Sequence, residues 1–176
     1  HHALQQASST FPLATAFPMT RRIAARRSPI HGNGVFALAP IAKGELIIQY
    51  RGRLITHAQA DRRYGDAGET GHTFLFTLNE KYIIDANQDG NAARWINHSC
   101  APNCLALVHE SASGDPRKDR VFIEALRDIA PGEELTYNYG IVLDMPHTAR
   151  LKKLWACRCG SPHCTGTLLQ PRRKAA

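Results

Sequence analysis

Long apolar runs are absent from this 176-residue sequence. The longest, such as Val35–Ala39 and Cys104–Val108, fall far short of the roughly 20 residues a membrane-spanning helix requires. No secretory signal is recognisable, because residues 1–20 are only mildly apolar and the arginines follow that stretch instead of preceding it. Acidic side chains are missing from residues 1–30, and neither an internal repeat nor a long amphipathic helix is visible. An even cysteine count is missing too. Five cysteines in a chain with no export signal argue against a disulfide framework and for thiolates with a chemical task.

What is present fits one globular domain. Hydrophobic residues make up 43% of the chain, and its length is enough to bury a core without disulfides. The net charge of +7 is uneven: Arg21, Arg22, Arg26 and Arg27 precede residue 31, and Arg172, Arg173 and Lys174 lie near the end. The remaining 15 of the 22 basic residues share residues 31–164 with all 15 acids, so that stretch is neutral overall. A nucleic-acid-binding domain carries its basic patch on folded structure. Here the excess falls at the ends, which read as solubilising tails with at most a weak electrostatic hold on nucleic acid.

Short β-prone runs broken by Gly, Pro and Asn predict strands over 35–38, 45–50, 74–78, 82–85, 104–108, 121–126 and 135–139. A helix is expected from an N-capping Thr56 to about Tyr64, and another over roughly 147–155. The fold class is therefore mostly β and irregular, with few short helices and no parallel α/β sheet. Residues 1–20 read as a flexible leader, with His1 and His2 as a tag remnant.

Four constellations carry chemistry. Cys157, Cys159 and Cys164 form a C-x-C-x4-C cluster in which Gly160 and Pro162 permit a tight loop. Zinc takes four ligands, so a fourth comes from elsewhere, with Cys100, Cys104 and His163 as candidates. The run Arg94–Cys104 holds a polar Asn97-His98-Ser99 knot between apolar residues. Asn97 and His98 must find partners, as backbone pins or as ligand contacts; a Cys100–His98 nucleophilic dyad is the weaker reading. In Pro131–Gly140, Tyr137 and Tyr139 stand at i and i+2 and face one side of a strand. His31-Gly32-Asn33-Gly34 is a Gly-x-Gly loop before a strand, where backbone can approach a ligand closely.

In this order, the four stretches resemble the SET-domain protein-lysine methyltransferases that carry a post-SET zinc segment and no pre-SET module. The resemblance spans about residues 29–169, and the run GNAARWINHSCAPNC is its most specific part. It implies a SET domain over 21–140 with a knot-like core, a partly helical connector over 141–156, a post-SET zinc segment over 157–169 and a basic tail over 170–176. S-adenosylmethionine is then expected against His31, Gly32, Asn33, Gly34, Phe74, Asn97, His98, Arg158 and Leu168. The resemblance also makes Cys100 the fourth ligand of a structural zinc ion with Cys157, Cys159 and Cys164, and leaves Cys104 as a free thiol.

The family further implies Tyr139 as the essential hydroxyl at the transfer site and Tyr50 in the lysine channel. Tyr137 stands where relatives have Phe or Tyr; a hydroxyl there limits room for added methyls, so mono- or dimethylation is expected. Phe74 replaces a tyrosine found in many relatives. The implied partner is a protein or peptide with an accessible lysine, a histone tail first, with no membrane. The implied location is intracellular: cytoplasmic for a bacterial protein, nuclear or on host chromatin for a eukaryotic or delivered one. A non-catalytic SET-fold module binding peptide or chromatin is the alternative, and a small zinc-dependent nucleic-acid-binding domain a third.

Overall fold

The computed structural model describes residues 3–7, 9–12, 21–65 and 73–171. Among these, short strands dominate: β1 Ser9–Pro12, β2 Ile23–Arg27, β3 Asn33–Ala37, β4 Leu46–Tyr50 and β5 Arg53–Thr56 come first. Helix α1 (His57–Tyr64) follows, then β6 Leu75–Thr77, β7 Tyr82–Asp85, β8 Asn97–His98, β9 Cys104–Glu110, β10 Arg120–Ala125, β11 Glu134–Tyr137 and helix α2 (Ala149–Leu154). They assemble into three small sheets, ordered β1-β9-β10-β4, β2-β3-β11-β8 and β5-β7-β6. No helix among the described residues is long and apolar enough to cross a membrane.

Each element has a local cause. Val121, Phe122 and Ile123 let β10 pair on both edges, antiparallel to β9 and to β4. Thr56 caps α1 reciprocally: its hydroxyl accepts from Gln59 N at 3.2 Å, while Gln59 Oε1 accepts from Thr56 N at 2.8 Å. Thr148 caps α2 through Leu151 N. The main core gathers Val35, Ile41, Phe76, Ile96, Ile123 and Leu135, all essentially sealed from solvent. A second cluster of Ala3, Ile141, Leu143, Trp155 and Leu169 lies under the C-terminal segment.

The second sheet decides where the chemistry sits. β11 lies between β3, antiparallel, and β8, parallel, with Thr136 opposite Asn97 and Tyr137 opposite His98. The Gly-x-Gly loop entering β3, the Asn-His pair on β8 and the tyrosines of β11 are thereby neighbours, though far apart in sequence.

Two expectations need correction. Residues 3–7 and 9–12 are not a loose leader: Ala3 and Gln5 are buried, Gln5 bridges Phe76, and Ser9–Pro12 pairs in parallel with β9. These residues find unpaired strand edges far along the chain, a gain that periodicity within residues 1–20 does not reveal. Likewise Arg26 and Arg27 stand on β2, where Ile23 packs against the core, so this part of the basic excess is folded. Residues 13–20 and 172–176 lie outside the described residues.

Asn103 locks β11 in place. It is buried; its Nδ2 donates to Glu134 O at 2.9 Å and its Oδ1 accepts from Thr136 N at 2.9 Å. Asn103→Ala strands both backbone groups without a partner and is expected to cost about 1–3 kcal/mol. Urea unfolding checks this; a loss no larger than that of a surface substitution would show that β11 holds its register without the clamp.

Candidate functional site

Six stretches of chain converge on a cleft beside β8. It is lined by Ile30, His31, Gly32, Asn33, Phe74, Arg94, Trp95, Asn97, His98, Tyr139, Ala156, Cys157, Arg158 and Leu168. The structure thus brings together every residue expected at a cofactor site except Gly34, the next residue along β3.

Asn97 organises this cleft. Its buried amide nitrogen lies within 2.9–3.1 Å of Ser28 Oγ, His31 O, Asn33 O and Glu134 Oε1. One side chain therefore fixes the Gly-x-Gly loop by its carbonyls, which is the pinning role, while also lining the cleft. Glu134 closes the network by accepting from the Ser28 hydroxyl at 2.7 Å. Gly34 has a reason here: a Cβ would collide with the Glu134 carboxylate. Gly32, at φ +49°, adopts a left-handed conformation that strains other residues. Sequence pattern does not single out Ser28 or Glu134. Glu134 lies inside the matched Gly132–Tyr139 run, yet only the fold reveals its partner.

His98 faces two ways. Its Nδ1 accepts from Tyr139 N at 3.1 Å, so Nε2 carries the proton of the neutral ring and lies 3.6 Å from Cys100 Sγ. Burial lowers its pKa to about 4, keeping the ring neutral near pH 7. With Nδ1 occupied and Nε2 protonated, His98 has no lone pair to offer Cys100. The nucleophilic dyad is therefore excluded, although the two residues touch.

The aromatic side chains run in contact away from the cleft. Tyr139 stacks edge-on to His98 with ring centres 5.5 Å apart, Tyr137 follows at 5.0 Å from Tyr139, and Phe76 leads on to Tyr50 at 5.1 Å. The Tyr139 hydroxyl donates to Ile96 O at 2.7 Å, and the Tyr50 hydroxyl donates to Phe74 O at 3.1 Å. Burial raises all three tyrosine pKa values above the ordinary range, so the hydroxyls stay neutral. The result is a continuous row of buried, uncharged aromatic side chains carrying oxygen donors and acceptors.

The thiols of Cys100, Cys157, Cys159 and Cys164 all lie within 4.8 Å of one another. Cys100 Sγ stands 3.8 Å from Cys157 Sγ and 4.0 Å from Cys164 Sγ. Four thiolates around zinc at about 2.3 Å would be separated by roughly 3.8 Å, so this set fits the ion and leaves no open position. Burial raises the Cys159 thiol pKa, but backbone N–H groups of Cys100 and Ser161 and the adjacent thiols outweigh it and bring the value to about 6. A thiolate is thus favoured where a cation is to sit. Of the other candidates, His163 is outside the cluster, and burial pushes the Cys104 thiol up to about 12.

The cleft lining also suits adenosylmethionine. Phe74 and Trp95 meet edge to face at 5.1 Å and offer apolar walls for a purine. Arg94, stacked 4.6 Å over the Trp95 ring, has an Nε–H with no protein partner among the described residues, a donor suited to a carboxylate.

A family model described as "SET domain" matches residues 32–140. Over 145 residues the chain is 43% identical to "Histone-lysine N-methyltransferase, H3 lysine-4 specific" of Kluyveromyces lactis, covering 81% of this chain and 14% of that protein. The Saccharomyces cerevisiae protein of the same name is 41% identical over 145 residues, with 81% and 13% covered. "Histone-lysine N-methyltransferase ATX2" of Arabidopsis thaliana is 38% identical over 152 residues, with 84% and 13% covered. The chain therefore spans only about a seventh of the length of these curated relatives. Among solved structures, a humanized mutant of the Chaetomium thermophilum Polycomb Repressive Complex 2 bound to the inhibitor GSK126 superposes with TM-score 0.58 at 35% identity, covering 67% of this chain and 15% of that one. Sequence, sheet arrangement and the C-terminal cysteine cluster agree, and the chain belongs to the SET-domain family.

Proposed function

We propose that this chain transfers a methyl group from S-adenosylmethionine to a lysine side chain of a protein, with a histone H3 tail as the leading substrate. One observation carries the reading: Tyr139 lines the cleft and is also the first of the buried tyrosines that run from it, a row we take as the walls of the acceptor passage. The relatives' names support histone lysine as the acceptor, and that substrate class implies work on chromatin.

Bound adenosylmethionine supplies a sulfonium methyl; transfer makes an N–CH3 bond, breaks the S–CH3 bond, leaves a thioether and releases one proton overall. The chain's task is positioning, exclusion of water and selection of the neutral amine, since an ammonium has no lone pair. Buried neutral tyrosines around the passage disfavour a charged ammonium through desolvation. The Ile96 carbonyl aims the Tyr139 hydroxyl, while Asn97 fixes the loop carbonyls that wall the cleft. Cys100, Cys157, Cys159 and Cys164 hold a structural zinc ion, which ties the segment bearing Arg158 and Leu168 to the end of β8.

Tyr139→Phe is expected to cut labelled-methyl transfer to H3 peptides by about 100-fold while leaving thermal unfolding near that of the parent protein. Undiminished transfer would remove Tyr139 from the reacting centre. Mass spectrometry of modified peptide arrays is expected to show one or two methyls, with Tyr137→Phe raising that number; ready trimethylation by the parent protein overturns the role given to the Tyr137 hydroxyl. One zinc per chain is expected by elemental analysis, falling sharply in Cys159→Ser. Chelation is expected to expose segment 157–164 to protease and to abolish transfer; full activity after complete metal loss refutes the clamp.

A further inference from the structure

We infer that residues 3–7 are a built-in pseudosubstrate, with Gln5 standing in the seat of the target lysine. The inference rests on the methyltransferase reading above and deepens it. Gln5 is 1% exposed, although its side chain is a polar amide. That side chain is fully engaged: the Tyr137 hydroxyl donates to Gln5 Oε1, and Gln5 Nε2 donates to Thr73 O at 2.8 Å. Tyr137 in turn is 5.0 Å from Tyr139, which walls the donor cleft. The amide therefore ends in the passage through which an acceptor must arrive.

The backbone is held as a substrate strand would be. Gln5 N donates to Leu75 O at 2.9 Å and Thr77 N to Gln5 O at 2.8 Å, adding residue 5 in parallel to β6. On the opposite side, Gln6 N donates to Tyr139 O at 2.8 Å, so the segment is threaded between β6 and the chain just beyond β11. Alternation follows: Ala3 and Gln5 are buried, while Gln6 is exposed. Ala3 packs with Ile141, Leu143, Trp155 and Leu169, its carbonyl accepting from Thr73 Oγ1 at 2.9 Å. Leu4 packs against Ile55, Ala60, Leu75 and Ile83.

Gln suits a plug and not a substrate. Its chain is one atom shorter than that of lysine, and its nitrogen lone pair is delocalised into the amide, so it occupies the channel without accepting a methyl. The same register describes what displaces it: an extended peptide carrying a small residue two positions before its lysine, where Ala3 meets Trp155.

The test is the whole chain with Gln5→Lys, incubated with adenosylmethionine and digested for mass spectrometry. Methylation of the introduced lysine within the same molecule, at a rate independent of protein concentration, is the expected result. In parallel, Gln5→Ala and Ala3→Arg should each lower the KM for an H3 peptide by about tenfold with kcat little changed, because apparent affinity scales with the open fraction. Hydrogen exchange supplies a readout free of activity: the amides of Gln5 and Thr77 should be protected in the parent protein, and that of Thr77 should exchange faster in Ala3→Arg. Peptides with Ala two places before the lysine should outcompete those with Arg there. If external peptides are methylated while the introduced lysine stays bare and the variants keep the parental KM, the plug is refuted and the enzyme reading stands. If neither that lysine nor any peptide is methylated while the Gln5 and Thr77 amides are protected, the enzyme reading is what fails.

Discussion

The two-residue pairing of β8 with β11 is the constraint on which the remaining geometry depends. Thr136 opposite Asn97 and Tyr137 opposite His98 bring residues some forty positions apart into one register. From that register Asn97 reaches the carbonyls of the His31–Asn33 loop, and His98 receives the backbone N–H of Tyr139. A slip by one residue would turn both polar side chains to the opposite face. The buried amide of Asn97 would then lose its acceptors, a heavy penalty for a polar group out of water. Register and polar satisfaction thus enforce each other, and two residues suffice where longer sheets rely on many.

Neutrality is the second organising feature. The tyrosines of the passage and the ring of His98 are all held in uncharged forms by burial, and the Tyr50 and Tyr139 hydroxyls each donate to a backbone carbonyl. An amine brought among these side chains would meet neutral phenols, which do little to stabilise its protonated form. The nearby carboxylates are already engaged, and the guanidinium beside them is positioned by a ring. Glu134 is saturated by Ser28 and Asn97, Asp85 accepts from the Tyr64 hydroxyl and from Asn87, and Arg94 is stacked on Trp95. Fixed dipoles and aromatic faces do the orienting.

Much of this is legible in the order of residues alone. The seven strands read from β-prone runs appear with ends shifted by at most two residues, and Thr56 caps the helix that begins after it. The last strand stops at Tyr137, because the Tyr139 amide leaves the ladder for His98. Cysteine spacing by itself leaves the fourth ligand open among Cys100, Cys104 and His163; three-dimensional proximity decides for Cys100. Strand β2 is hidden because its arginines resemble a tail. Residues 3–7 are hidden because their partners, Leu75, Thr77 and Tyr139, are at least 68 positions away and no local pattern encodes them. Ser28 and Glu134 escape for the same reason, being ordinary residues made important by Asn97.

The four-cysteine cluster and the row of buried tyrosines share a wall. Cys157, Cys159 and Cys164 belong to the segment that carries Leu168 and Leu169, and Cys100 stands two residues beyond His98, just past the end of β8. Leu169 and Trp155 belong to the second hydrophobic cluster, which also seats Ala3 and packs against Tyr139. The Ile141–Leu169 bridge, Gln170 N donating to Ile141 O at 2.8 Å and the packing of Leu169 on Ile141 and Leu143 hold the end of this segment, while the thiols gather its beginning beside Cys100. A closed four-thiol site contributes no reacting group of its own. With a metal bound it would act only by holding that wall against β8, so the stability of the cluster and the packing behind Tyr139 are one mechanical problem.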